Sequence, residues 1–436
     1  MKRIILPLIL LLLLGVTSCK KEVDPIYVYT DQQRARDYLY RLMKEWYFWY
    51  KEMPVVNPTD YSDPYEILEA LRYSPTDRWS YVADFDEFNA YYQGSFAGHG
   101  IVIILDGENK ARIAQIYKRS PLYAEDVRRG WIVESVNGVD IAALMVAGNY
   151  AEYNNVMGPR QAGITNDFKF RNPLGEIVEI SSTKAEFMVN SVLKYDILDL
   201  STGKTGYLAF DSFIETSFDE LEEAFTLFVA NDIKQLILDL RYNSGGMLDV
   251  AIDLSSYTAG NDEADNLFIK VVHNDKRSNE NSNIFFKETG YSLDIQKLAV
   301  ITTRATASAS EIVINGLVPY VDVKCFGDKT SGKPVGMYAF PDEKNKYYFL
   351  PITFQLLNAQ NYGDYFNGIE PHTYVSDDLT RDFGDPEELS LKAVIEYLET
   401  GSTKSVLPYQ AKPQIIIDER PDWQKNIFIR RIETER

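Results

Sequence analysis

Thr306-Ala307-Ser308-Ala309-Ser310-Glu311-Ile312, followed by Lys333 in Thr330-Ser331-Gly332-Lys333, is the stretch on which the reading of this chain turns. A strand-like run, Lys297 to Thr302, precedes it, and a helical pattern begins by Ser310. Ser308 therefore falls on the turn between a strand and a helix. A hydroxyl there lies beside backbone N–H groups of a helix N-terminus, where negative charge is favoured. Serine is a poor nucleophile unless a base takes its proton and donors hold the oxyanion. None of the three histidines, His99, His273 and His372, has a recognisable nucleophile context. Lys333, 25 positions after Ser308, is the candidate base. A lysine acts as base near neutral pH only when burial lowers its pKa, so the pairing also predicts a dry pocket.

A second segment belongs with the first. Gln235 to Arg241 reads as a buried strand and runs into Arg241-Tyr242-Asn243-Ser244-Gly245-Gly246. Two glycines at a strand end let backbone approach a ligand closely with its N–H groups exposed. The Ala309 N–H is the natural first oxyanion donor, and Gly245 or Gly246 is the candidate second. Each motif alone has a plainer reading: a helix cap for Ser308, a tight loop for the glycines, a surface lysine for Lys333. Their joint occurrence, each after a strand, argues for a site.

Around them the chain divides by pattern. At 436 residues it is too long for one ordinary core, and 45% hydrophobic with 25% charged residues is a globular composition. The net charge of −19 argues against a phosphate-backbone partner, and no nucleic acid is expected. Residues 31–93 read as helical; Leu39, Leu42, Trp46 and Trp49 fall on one helical face. Residues 94–185 read as β-rich. Gly98-His99-Gly100-Ile101 is a glycine turn entering a strand, Ser120-Pro121 starts a short helix, and Val136-Asn137-Gly138 is a turn. Residues 186–400 alternate strands and helices, which predicts a sheet flanked by helices. Residues 401–436 form a polar tail with apolar islands such as Ile415-Ile416-Ile417, to which no role is assigned.

The first eighteen residues stand apart. Lys2 and Arg3 precede an apolar run, Ile4 to Val16, of signal-peptide length and too short to cross a bilayer. Val16-Thr17-Ser18-Cys19 resembles a bacterial lipobox, which makes Cys19 the expected lipidated first residue of the mature chain and 19–30 a tether. The expected location is the bacterial cell envelope, on the membrane through that lipid. Cys325, the other cysteine, is expected to be a buried hydrophobe with no catalytic role. No clustered ligand set suggests a metal, and no cofactor is expected.

The ordered motifs Leu240-Arg241-Tyr242-Asn243-Ser244-Gly245-Gly246, Ala307-Ser308-Ala309-Ser310-Glu311-Ile312 and Ser331-Gly332-Lys333 resemble those of the C-terminal processing (tail-specific) serine peptidases. Asp77-Arg78-Trp79-Ser80-Tyr81, Gly206-Tyr207-Leu208, Asn367-Gly368-Ile369-Glu370-Pro371 and Asp385-Pro386-Glu387-Glu388-Leu389 fit the same family. The resemblance covers roughly residues 30–400. It implies an α/β multi-domain fold with a helical N-terminal domain, a PDZ-like peptide-binding domain and a protease core with a mixed, crotonase-like ββα sheet. It implies Ser308 as nucleophile, Lys333 as base, and an oxyanion hole from Ala309 with the glycines at 245–246. The substrates would be polypeptides with free C-termini. Gly98, His99, Gly100 and Ile101 map onto the carboxylate-binding loop. His99 is expected to be an exposed turn residue, with a pH-sensitive peptide contact as the alternative. One position departs: many members carry a glutamine four residues after the lysine, where this chain has Met337. Methionine cannot usefully hydrogen-bond an ammonium, so the rival expectation is a catalytically weak or inactive peptide- or ligand-binding envelope lipoprotein of the same fold.

Overall fold

Residues 29–403 and 416–418 are described by a computed structural model. Cys19, the segment 1–18 and most of the tether and tail lie outside the described residues.

Thr30 caps the first helix, α1 (Asp31–Trp46): its hydroxyl accepts from the Gln33 N–H, while the Gln33 side chain accepts from the Thr30 N–H. Asp63 and Pro64 open α2 (Pro64–Leu71) in the same economical way, cap then proline. Strand β1 (Tyr81–Asp84) and helix α3 (Phe85–Tyr92) follow. Leu39 and Leu42 are buried as the periodicity requires, and Trp46 packs half-buried against their cluster; α1 ends at Trp46, so Trp49, read onto the same face, reaches that cluster from the turn beyond the helix. This core is not self-contained. It is completed by Val335, Phe349 and Ile352 from far along the chain. One long helix and two short ones leave part of the aromatic stripe uncovered, so the expected N-terminal helical domain borrows a wall.

The β-rich part comprises β2 (Ser95–Gly98), β3 (Ile101–Leu105), β4 (Ala111–Ile116), helix α4 (Pro121–Ala124), β5 (Ile132–Val136), helices α5 (Ile141–Val146) and α6 (Tyr150–Met157), β6 (Thr165–Arg171), β7 (Ile177–Thr183) and β8 (Ala185–Met188). Ser120 caps α4 with Pro121 at its first position, and Asn137 and Gly138 both take positive φ (52° and 78°), as an Asn-Gly turn demands. Strands β3 to β7 are neighbours in one antiparallel sheet, while β2 pairs with β8. The expected boundary at 185/186 therefore cuts through a strand.

The main sheet is built from β9 (Val192–Leu200), β10 (Gly203–Phe210), then after helix α7 (Ser217–Ala230) β11 (Gln235–Asp239). Helix α8 (Leu248–Ala259) and strands β12 (Leu267–His273) and β13 (Ser282–Phe285) intervene before β14 (Lys297–Thr302), helix α9 (Ala309–Leu317) and β15 (Asp322–Gly327). Strands β16 (Val335–Met337), β17 (Phe340–Pro341), β18 (Tyr347–Leu350), β19 (Ile352–Asn358) and β20 (Thr373–Tyr374) precede helix α10 (Leu389–Thr400), and a last strand, β21, spans Ile416–Asp418. The sheet order is β20-β15-β14-β11-β10-β9; all neighbours are parallel except β9, which is antiparallel to β10. Helices α7, α8 and α9 cover one face in a large apolar core. The other face packs on α10 and on Val102, Ile104 and Ala114 of the β-rich part. A parallel sheet needs both faces covered, and here two different parts of the chain share that task.

Candidate active site

In open parallel sheets the usable crevice lies outside the carboxyl ends of the strands. Strands β11, β14 and β15 are adjacent and parallel, so whatever follows each of them gathers at one edge. The glycine loop follows β11, Ser308 follows β14, and Lys333 follows β15.

The loops are sewn together by backbone. The Ala307 N–H donates to Asn243 O (3.0 Å), the Ser331 N–H to Thr306 O (2.8 Å), and the Thr306 hydroxyl to Leu240 O (2.8 Å). Ser308 sits at the N-cap of α9 with φ 54° and ψ −116°. A non-glycine residue held there stores strain, which the surrounding bonds must sustain. Gly245 comes so close that a Cβ on it would lie 2.8 Å from the Ala309 nitrogen and 2.8 Å from Ser308 Cβ. Gly246 takes φ +143°, and a Cβ there would lie 2.1 Å from Phe213 O. Both glycines are thus required by space as well as by conformation.

The two glycines differ in what their N–H groups do. The Gly245 N–H donates to Asn243 Oδ1 (2.9 Å) and is already committed. Among the described residues neither the Gly246 N–H nor the Ala309 N–H donates to any protein acceptor. Of the two candidate second donors, Gly246 is the one whose N–H is available, because the Asn243 side chain has claimed that of its neighbour.

Ser308, Ala309, Gly245, Gly246 and Lys333 all line one cavity of about 350 Å³. Its remaining wall is largely apolar, with Met247, Leu248, Ile312, Met337, Phe354 and Leu356. Burial pushes the Lys333 amine down to about 8, against a smaller opposing pull from Asp77 and Glu311. The amine makes no hydrogen bond or ion pair among the described residues, and none joins it to the Ser308 hydroxyl. Met337 stands on the same wall, so nothing at the glutamine position orients the ammonium.

Glu311 is what the motif reading passed over. It is fully buried (0% exposed), and its carboxylate accepts from four donors: the N–H groups of Ser308 (2.9 Å), Lys333 (2.8 Å) and Gly332 (2.6 Å), and the Thr330 hydroxyl. Burial pushes its pKa up, but four donors and no facing acceptor suit the ionised form. One side chain thereby ties the backbone of Ser308 to the backbone of Lys333. Asp77 has a similar job in the N-terminal part. It accepts from the N–H groups of Trp79 (3.0 Å) and Ser80 (2.9 Å) and from the Tyr47 hydroxyl (2.7 Å), shaping the segment that carries Arg78 and Trp79 into the cavity wall. The Arg78 guanidinium reaches Phe366 O (3.0 Å) across the rim. The only sequence signal for these two acids was their place inside family motifs.

The peptide-loop residues are placed differently from expectation. Gly98, His99, Gly100 and Ile101 are all buried. The His99 ring is 0% exposed, with Nδ1 2.9 Å from Ser182 Oγ and Nε2 2.8 Å from Asn166 Oδ1. The expectation of an exposed turn histidine is overturned: two polar partners inside the β-rich part satisfy both ring nitrogens. Ile101 belongs to that part's core. Cys325 is buried and unpaired, and burial pushes its thiol up to about 12. Among the described residues no group of three or more His, Cys, Asp or Glu side chains is placed to hold a metal.

Two family models match this chain: "Peptidase family S41" over residues 204–375 and "Peptidase S41 N-terminal domain" over residues 34–81. The chain carries peptidase family S41 domains. Ser308, Lys333 and the glycine loop lie within the first match, and Asp77 and Arg78 within the second. The β-rich part lies in neither. A "Probable CtpA-like serine protease" of Staphylococcus saprophyticus is 26% identical over 248 residues, 57% of this chain and 47% of that protein. A protein of the same description from Staphylococcus epidermidis is 24% identical over 256 residues, with the same two shares. The chain thus spans about half the length of the curated relatives it matches. The crystal structure of a putative S41 protease from Bacteroides fragilis superposes with a TM-score of 0.69 at 24% identity, covering 83% of this chain and 96% of that one. That likeness establishes a mixed α/β fold of the S41 type.

Proposed function

We propose that this chain is a lipid-anchored envelope endopeptidase that cleaves polypeptides near or from their C-termini by a Ser-Lys mechanism. The observation that carries the reading is a half-buried serine on a strained turn sharing a cavity with a lysine of lowered pKa and two uncommitted N–H groups. Ser308 attacks the scissile carbonyl as its proton passes to Lys333. The Ala309 and Gly246 N–H groups receive the oxyanion. Lys333 returns the proton to the leaving amine, and water then releases the acyl group. The Ser308–Lys333 hydrogen bond is left to form with substrate, as catalytic bonds commonly tighten only in the complex. The apolar wall around Met247, Leu248 and Phe354 suits an uncharged side chain of the substrate beside the cleaved bond. A PDZ-like role for the β-rich part is supported by its strand order and by the outer edge of β3, which in this chain already carries an added strand, β21. The anchor rests on Cys19 and the run before it, which lie outside the described residues; the envelope location follows from the same pattern.

The test is direct. Ser308→Ala and Lys333→Ala should each abolish cleavage of an unstructured polypeptide while circular dichroism stays unchanged. Normal turnover by either variant rules the mechanism out. A second reading, a binding protein that has lost catalysis, is favoured by Met337 and by an ammonium with no orienting partner. A fluorophosphonate probe separates the two, since Ser308-dependent labelling requires an activated hydroxyl.

A further inference from the structure

Strand β3 has β4 on one side, and on the other it is paired with β21, a segment of the chain's own tail. The pairing is antiparallel, with Ile416 opposite Ile104, Ile417 opposite Ile103 and Asp418 opposite Val102. Both faces of β3 are already used. Ile101 and Ile103 point into the core of the β-rich part, and Val102 and Ile104 pack on the main sheet. What remains is the outer edge, a row of main-chain donors and acceptors on an apolar strand. Such an edge is a template for any extended segment. Strand addition draws its affinity from main-chain bonds, so it accepts many sequences of the right shape.

The direction matters. From Ile416 to Asp418 the tail runs toward Gly100 and the glycine turn at the start of β3. A peptide captured by this edge with its C-terminus at that turn would run the same way. Asp418 is an internal residue, since the sequence continues past it to Arg436. The tail therefore lies where such a peptide would, without presenting a terminal carboxylate there.

We propose that Ile416–Asp418 is an intramolecular ligand of the β3 edge, and that it and an extended apolar polypeptide segment exclude one another. This deepens the peptide-capture half of the function proposed above and rests on it, but it does not depend on Ser308 chemistry. A tethered segment competes at an effective concentration on the order of millimolar. Weak segments are then kept off the edge, and only a better strand, or one present at high concentration, displaces the tail.

The experiment uses Ser308→Ala protein throughout, so that binding is read without proteolysis. The probe is a fluorescein-labelled synthetic peptide with the sequence of residues 412–421, followed by anisotropy. The hosts are the full chain, the chain ending at Thr403, and the full chain with Ile416→Pro or Ile417→Pro. Successive N–H groups of a strand face opposite sides, so one of the two prolines removes a donor that faces β3. The expected result is binding to the shortened chain, or to at least one proline variant, about 10-fold or more tighter than to the full chain. Equal affinity in all hosts, or no binding to any, overturns the proposal. Either failure leaves the cleavage results for Ser308 and Lys333 standing, so the two readings fall separately.

Discussion

Lys333 is the residue on which pH acts. An ordinary lysine, near 10.5, is protonated at neutral pH; burial brings this one to about 8. The neutral amine is the form that accepts a proton from Ser308, so activity should rise with pH, pass its midpoint near 8 and level off above. A kcat/KM profile measures this, and a midpoint at or above 10 would mark the lysine as solvated. The linkage has the matching sign. Between about 8 and 10.5 the unfolded chain holds more protons than the folded one, so the penalty for burying Lys333 is full below that window and fades as pH rises through it. Lys333→Met should therefore gain stability over the parent at pH 7 and lose that advantage by pH 10.5, measured by urea denaturation at each pH. The nucleophile and base were legible because their types are chemically unusual in their contexts. The spent Gly245 N–H was not, since it depends on where the Asn243 amide turns.

Three parallel strands and the helix α9 do the assembling. The glycine loop, Ser308 and Lys333 are far apart along the chain and meet only because β11, β14 and β15 are neighbours in a sheet whose ligand crevice lies at one end. Their strands were readable from apolar runs, and the strand–turn–helix around Ser308 agrees with its sequence pattern. The clasp between α9 and the lysine loop was not readable, because Glu311 in a first helical turn is ordinarily a surface residue favoured by the helix dipole. Buried, it holds Ser308 and Lys333 in register. Glu311→Gln replaces one acceptor oxygen by a donor facing other donors. It should lower kcat by about 100-fold, the scale of a 1 Å misplacement, with a much smaller change in KM. It also removes a negative charge that raises the Lys333 pKa, so the pH midpoint should move down. A loss of activity with an unmoved midpoint would mean that Glu311 only supports the fold.

Separate parts of the chain complete one another. The N-terminal helices finish their core on β16, β18 and β19, and the β-rich part covers a face of the main sheet. Behind the glycine loop a buried ionic cluster crosses that second junction. Arg241 binds Asp239 (2.6 Å), Asp377 (3.0 Å) and Glu388 (2.9 Å), and Arg129 of the β-rich part reaches Asp377 (3.1 Å) and the Tyr242 hydroxyl (3.2 Å). Breaking one partner of such a cluster leaves charge buried without its complement, at about 3–5 kcal/mol. Arg129→Ala should lower the urea midpoint by a corresponding amount at an unchanged m-value. A shift within error would mean that water or rearrangement replaces the guanidinium.

By itself the sequence determined the strands that lead into the site, the Ser120 cap, the Asn-Gly turn and the candidate nucleophile and base, because these follow from side-chain periodicity, backbone preference and intrinsic reactivity within a few residues. Tertiary structure alone decided that Lys333 lies in an apolar cavity, that Gly246 rather than Gly245 keeps its N–H, that His99 is buried, and that residues 416–418 lie along β3. Each of these depends on which distant atoms exclude water or supply a partner, and short-range pattern carries no record of that.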